Sequence, residues 1–274
     1  MNRTKSILTA LAAAVFMLSA AFVAQGQNSR TWVSGLGSDG NSGTGCQQTA
    51  PCRTLATAIG VTNPAGQVVA VDNAGYAPFT VNKAITIEGA PGVTAFIFVP
   101  PSTNGISVTG AASDQVVLRN LFVDGAGNPT TTGLNFTGQA KLVVQNCTFR
   151  SLTTGINAAG TNNTTLPARM DLVDSDLYSN GTGVLATGSG ANSPGNPQTA
   201  STTIVRINGG NITVNGTGLN QVNPGSNLFN VCLFSLGTGP RTNIIANTTN
   251  LTCSGAGCNA IPCVFAYNTM NFGP

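Results

Sequence analysis

The sequence predicts an all-β fold: a right-handed parallel β-helix, that is, a solenoid with a short N-terminal capping helix and a disulfide-rich C-terminal cap. Three observations lead there. First, residues 116–123, 142–149, 170–177 and 205–212 align on one another, with Asn120, Asn146, Asp174 and Gly209 at the same position in each. The steps between those positions are 26, 28 and 35 residues. A variable period around constant strand cores is what stacked coils with unequal loops produce. Second, each segment is followed by glycine and a branched aliphatic residue: Gly133-Leu134, Gly155-Ile156, Gly183-Val184 and Gly218-Leu219. Third, no helix of useful length fits between the strands, so the crossovers that parallel strands require must themselves be strands.

Taken in order, residues 1–26 read as a secretory signal. Arg3 and Lys5 give a basic start, an apolar run follows from Ile7 to Ala24, and Ala24-Gln25-Gly26 supplies small residues for cleavage. The apolar run approaches the length of a membrane span, but its small-x-small end favours removal. The mature chain is then expected to be secreted or held at the cell surface, extracellular or periplasmic, with no membrane span.

Residues 27–66 read as the N-terminal cap. Leu55, Ala58 and Ile59 have helical spacing, Thr49 is placed to cap the helix and Pro51 suits its first turn. Such a helix covers the open end of a sheet stack, whose unpaired backbone groups invite aggregation. The coils occupy residues 67–225. They open with short strands at 67–71, 79–81, 84–89 and 106–110, each bounded by turn residues.

The four aligned segments assign inward columns: Val116, Leu142, Met170 and Val205; Leu118, Val144, Leu172 and Ile207; Val123, Phe149, Leu177 and Ile212. Asn120 and Asn146 fall at a corner, where amides bond along the stack or support a left-handed turn. The repeated glycines suggest a second corner that needs free φ. Residues 187–200 form the longest insertion and read as an uncharged spacer. Residues 226–274 lose the repeat, gain aromatics, and read as a last coil with the C-terminal cap.

Only 7% of residues are charged. Without Arg3 and Lys5, nine basic face eight acidic residues, a net charge of +1. No basic block exists to follow phosphates, which excludes a nucleic-acid partner. The repeated apolar positions exclude disorder. Seven cysteines in an exported chain imply disulfides. Cys46 and Cys52 flank a short loop and should pair. Cys232, Cys253, Cys258 and Cys263 allow two more bridges, leaving Cys147 as a buried free thiol. With no histidine and no CxxC pair, this cysteine cluster does not read as a zinc site, and no metal or other cofactor is implied.

Two stretches carry a resemblance. One is the N-terminal pattern: Thr31-Trp32-Val33-Ser34 through Asp39, then Thr49-Ala50-Pro51-Cys52-Arg53-Thr54-Leu55-Ala56-Thr57-Ala58-Ile59, then Lys83-Ala84-Ile85-Thr86-Ile87-Glu88-Gly89. The other is the coil pattern Val-x-Asn-x-x-Phe followed by Gly-Ile. Together the chain resembles the right-handed parallel β-helix proteins of the pectate-lyase-like superfamily over most of residues 31–225. The resemblance implies the fold. It leaves the activity open among polysaccharide lyases, glycoside hydrolases, epimerases, tailspikes and adhesins, because the matching positions are structural.

The outward rows carry the remaining chemistry. Asp171 beside Arg206, and Asp124 beside Arg150, read as exposed ion pairs across coils, worth about 0–1 kcal/mol each. The functional alternative makes Lys141, Arg169 and Arg206 a shallow binding site for an acidic sugar, with Asp171 or Asp176 as catalytic groups. Hydrolysis usually needs two carboxylates about 5–9.5 Å apart on one groove, and the corner at Asp174 should send Asp171 and Asp176 to different faces. Calcium needs several converging oxygens, and the 171–176 run lacks the glycine and distal glutamate of a calcium loop. Sequons at Asn162, Asn180, Asn211, Asn215, Asn247 and Asn250 are assigned no glycan, being expected from composition. The expected function is an exported, non-catalytic β-helix of the cell surface or extracellular matrix, whose partners are polysaccharides or copies of itself. The alternative is a polysaccharide lyase or glycoside hydrolase acting on an acidic polysaccharide.

Overall fold

The computed structural model describes residues 28–160, 168–187, 203–222, 231–235, 243–245, 247, 249–254, 263–266 and 271–272. The signal segment, residues 188–200 of the insertion, Asn162 and Cys258 lie outside the described residues.

Alternating apolar residues give strands with one buried face, and three such strands make each coil. One coil runs Gln115–Arg119, Leu121–Asp124 and Thr132–Phe136; the next runs Lys141–Gln145, Thr148–Arg150 and Thr154–Ala158. Among the described residues, like strands stack in parallel into sheets of nine, eight and seven strands, and the expected parallel β-helix is the observed fold. The nine-stranded sheet holds the first strand of each coil, the eight-stranded sheet the second and the seven-stranded sheet the third.

The columns expected from the alignment are in register. Val116, Leu142, Met170 and Val205 pair in succession, as do Leu118, Val144, Leu172 and Ile207, and Val123, Phe149, Leu177 and Ile212. All twelve are at most 1% exposed. Burying a side chain of this kind stabilises the fold by roughly 1.5–3 kcal/mol, so these columns dominate the core. The stack extends further at both ends: Ile85 and Ile87 precede Val116 and Leu118, and Ile244 follows Ile212. Beyond the aligned region, Val231–Ser235, Asn243–Ile245 and Thr249–Ser254 form a further coil.

The first corner turns through the left-handed region at one residue in three coils, Asn120 (φ 55°), Asn146 (φ 51°) and Asp174 (φ 45°), and at Gly209 (φ 76°) and Gly210 (φ 78°) in the fourth. These residue types visit that region at least cost. The amide of Asn120 donates to Gly89 O at 3.1 Å, and that of Asn146 donates to Asn120 Oδ1 at 2.7 Å.

At the second corner the expectation for the repeated glycines fails in its reason. Gly133, Gly155 and Gly183 lie inside strands and outside the left-handed region. What they need is space. A Cβ on Gly133, Gly155 or Gly183 would stand 2.6 Å from the carbonyl oxygen of Gly155, Gly183 or Gly218 respectively, on the next coil. The left-handed residues of this corner are Ala126, Gly127 and Thr130 before Gly133, Ser151 before Gly155, Ser179 before Gly183 and Val214 before Gly218.

Beside those residues runs a buried asparagine ladder. Asn180 Oδ1 accepts the Leu152 N–H at 3.1 Å, and Asn180 Nδ2 donates to Phe149 O at 3.1 Å. Asn215 repeats the pattern one coil on, accepting from Asn180 N and donating to Leu177 O, both at 3.0 Å. Asn247 continues it, accepting from Asn215 N at 2.8 Å and donating to Ile212 O at 2.9 Å. Each amide replaces backbone partners that the turn removes, as buried polar groups require.

The capping helix spans Leu55–Val61 and buries Leu55, Ala58 and Ile59, as the spacing predicts. Its cap is Thr54 rather than Thr49: Thr54 Oγ1 accepts the Thr57 N–H at 3.2 Å. The helix starts late because Cys52 is held in a parallel bridge to Val33. The strand Asn28–Val33 is the first of the nine-stranded sheet, Cys52 N donates to Trp32 O at 3.0 Å, and Cys46 and Cys52 are joined by a disulfide. The Asp39 carboxylate then takes the Arg53 and Thr54 N–H groups at 3.0 and 2.9 Å. Burial works against this charge, but the bonds from Thr54 and Arg53 outweigh it and hold the carboxyl below its ordinary pKa.

Candidate functional site

The outward face of the nine-stranded sheet carries the charged candidates. Lys141 pairs in register with Arg169, and Asp171 with Arg206. Arg169, Asp171 and Arg206 border one shallow hollow of about 180 Å³, completed by Leu172, Val173 and Asn208. The expected bond from Asp171 to Arg206 is replaced by one within the strand. Arg169 Nε and Nη2 donate to the two Asp171 oxygens at 2.9 and 2.6 Å. Residues two apart on a strand share a face, so Arg169 reaches Asp171 without crossing coils. Asp176 sits on the eight-stranded sheet, away from Asp171, and accepts from the Asn211 side chain at 2.7 Å.

Nearer the N-terminus the same face carries a polar chain that the sequence reading did not anticipate. Gln67 Nε2 donates to Glu88 Oε1 at 2.5 Å, Arg119 Nη1 meets Glu88 Oε2 at 3.2 Å, and Arg119 Nε meets Gln145 Oε1 at 3.1 Å. Within this chain the charges of Glu88 and Arg119 offset one another.

The eight-stranded sheet presents a different surface. Phe96 and Phe122 occupy one outward row, and Phe98, Asp124, Arg150 and Tyr178 the adjacent row. Phe96 and Phe98 are 39% and 50% exposed, which is unusual for large apolar side chains in this otherwise polar shell. The Phe96 and Phe122 ring centroids are 4.9 Å apart at 56°, and the Arg150 guanidinium lies 4.9 Å from the Phe122 centroid on a cation–π contact. Arg150 Nε and Nη2 both donate to Asp124 Oδ2, at 2.9 and 2.8 Å, as the sequence predicts for this pair. That bond first, and the Tyr178 hydroxyl second, hold the guanidinium pKa above its ordinary value.

Beside these rings, at the asparagine corner, lies a cleft of about 500 Å³. The 90–94 loop forms one wall, with Asn120 to Phe122, Asn146 and Thr148 opposite. Sequence reasoning missed this site because the strand Ala95–Phe98 lies outside the four aligned segments. The signal was present as an alternation in which two phenylalanines take the positions that polar residues occupy in later coils.

The cysteines divide into three groups. The Cys46–Cys52 bond forms as expected. Cys147 is a buried free thiol that donates to Gln145 O at 3.3 Å, and burial pushes its pKa up to about 12. Cys232 and Cys263 occupy the same register position on adjacent strands and Cys253 lies on Thr249–Ser254. The side chains of these three, like Cys258, lie outside the described residues. Among the described residues no cluster of three potential metal ligands occurs, and no helix is long and apolar enough to cross a membrane.

Comparison of the chain with protein-family models, with curated proteins and with solved structures finds no match in any of the three.

Proposed function

We propose that this protein is an exported, non-catalytic β-helix of the pectate-lyase-like superfamily, acting at the cell surface or in the extracellular matrix by contacting polysaccharide. The observation that carries this reading is the repetition of uncharged hydrogen-bonding groups along the stack. On the seven-stranded sheet, Thr132, Thr154, Thr182 and Thr217 stand in one register row. Asn135 and Asn157 stand in another, with Asn157 Nδ2 donating to Asn135 Oδ1 at 2.9 Å. Coils repeat at about 4.8 Å, so the face offers a polymer the same contact many times over. Weak contacts summed in this way bind extended ligands without a deep pocket. The Cys46–Cys52 bond supports an oxidising destination. The in-register coils, asparagine corner and capping helix support the superfamily assignment.

A second reading has its own observation: Arg169, Asp171 and Arg206 around one hollow, with Lys141 beside Arg169, is a group suited to an acidic sugar. That reading makes the protein a polysaccharide lyase or glycoside hydrolase. One experiment separates the two. The mature protein is incubated with acidic and neutral polysaccharides, following binding by affinity electrophoresis and turnover by reducing ends and unsaturated products. Retardation without turnover is the expected result. Turnover that disappears in Arg206→Ala or Asp171→Ala would establish the second reading instead.

A further inference from the structure

We infer that the cleft at the asparagine corner, with the phenylalanines of the eight-stranded sheet beside it, is a binding site for an uncharged polysaccharide. This rests on the proposed glycan-contacting function and specifies both the face and the sugar chemistry.

Three features carry the inference. No charged side chain lines the cleft, whose polar lining is made of Thr94, Asn120, Asn146 and Thr148. The cation beside it, Arg150, is spoken for by Asp124, and the nearest charge in the Thr148 row, Asp176, is a carboxylate. An acidic sugar would therefore lose water from its carboxylate without gaining a cation, whereas sugar hydroxyls exchange water for amide and hydroxyl partners.

Second, several of these partners are available. Within the structure Asn146 uses its side-chain nitrogen on Asn120, while Asn146 Oδ1 and the hydroxyls of Thr94 and Thr148 make no hydrogen bond among the described residues. Asn120 has its nitrogen on Gly89 O and its oxygen on Asn146, so it fixes the orientation of Asn146. The free acceptor at position 146 is thus held in place before a ligand arrives.

Third, the apolar contact is exposed and rigid. Phe122 is held between the Phe96 ring and the Arg150 guanidinium, which leaves Phe96 and Phe98 as the accessible ring surface. A pyranose has an apolar C–H face and a rim of hydroxyls, the combination that an aromatic surface with a few placed polar groups accommodates. The rows run along the stack axis, so the chain is expected to lie along the helix, crossing the coils that carry Phe96, Phe122 and Thr148.

The test uses the mature protein with four soluble neutral polymers (a mixed-linkage β-glucan, xyloglucan, galactomannan and dextran) and with polygalacturonate. Variants are Phe96→Ala with Phe98→Ala, Thr148→Val, and Lys141→Ala with Arg169→Ala as the opposite-face control. At least one neutral polymer should bind. Its affinity should fall roughly tenfold or more in the double phenylalanine variant, drop measurably in Thr148→Val, and stay unchanged in the control. Circular dichroism and thermal melting check that the exposed phenylalanine changes leave the fold intact. Neutral binding that ignores the phenylalanines overturns this site while leaving the glycan-contacting function standing. The site is equally overturned if polygalacturonate alone binds and is lost in the lysine and arginine variant. Binding of none of the five polymers sinks both. Loss of self-association in the phenylalanine variant, with sugar binding unchanged, makes the patch an interface between copies and overturns the site.

Discussion

Asn215 Oδ1 receives two hydrogen bonds from Asn180, one from its backbone N–H and one from its side-chain amide, each at 3.0 Å. Both residues are at most 3% exposed, although 35 positions separate them in sequence. Asn215→Ala leaves the buried Asn180 groups without this acceptor and removes the donor to Leu177 O. A buried unsatisfied group costs about 1–3 kcal/mol, so the thermal midpoint is expected to fall by several degrees at this chain length. Burial also makes Asn180 and Asn215 inaccessible as glycan acceptors. Mass spectrometry of protein from a glycosylating host should find both unmodified.

The second corner can be tested through glycine. Gly155→Ala drives a Cβ to within 2.6 Å of Gly183 O, a backbone atom that does not move aside cheaply. The expected cost is about 1–3 kcal/mol. Gly60→Ala is the counterpart. Gly60 lies in the capping helix, and a Cβ there meets nothing within 4 Å, so the substitution should stabilise by about 0.5–1 kcal/mol. Denaturant midpoints of the two variants should move in opposite directions. An unchanged or raised midpoint for Gly155→Ala would mean that the crowding at Gly155 is wrong.

Cysteine and carboxylate titrations set the two ends of the pH profile. The Cys147 pKa is raised to about 12, so the folded state keeps its proton where the unfolded chain has lost it. Its contribution is full below about pH 8.5 and is lost as pH climbs towards 12. Asp39 and Asp72 act oppositely. Burial opposes both charges, but hydrogen bonds from Thr54 and Arg53 on Asp39, and from Tyr76, Gly35 and Ser34 on Asp72, hold their pKa values down. Their contribution is full above about pH 4 and is lost below it. Native protein at pH 8 should resist iodoacetamide at Cys147 and react after denaturation. Rapid labelling of the native state would contradict its burial. Cys147→Ser should be tolerated, since Ser175 holds the same place one coil on and donates to Val173 O at 2.9 Å.

The inward columns were legible because equivalent apolar residues recur with period two and a coil needs only one register. The left-handed corner was legible because asparagine, aspartate and glycine share one backbone preference. Side-chain partners were harder to read. Asp171 and Arg206 do stand in register, yet Arg169 is nearer in its fork geometry and takes the carboxylate. The asparagine ladder was hidden because Leu152 holds its position in the preceding coil, and because an Asn-x-Thr triplet looks the same whether its amide faces water or the core. The phenylalanine row was hidden because residues 90–94 separate Gly89 from the strand Ala95–Phe98, whereas Asn120 leads directly into Leu121–Asp124, so the coil containing Phe96 fell outside the alignment.

The fold depends on coils stacked in register, and a double-mutant cycle on Asn120→Ala and Asn146→Ala measures that most directly. Each alanine carries its own left-handed strain, which cancels in the cycle and leaves the bond between the two side chains. A coupling of about 0.5–1.5 kcal/mol is expected for residues 26 positions apart that share a 2.7 Å hydrogen bond. Additivity within about 0.3 kcal/mol would mean that the two corners do not meet, and would contradict the stack.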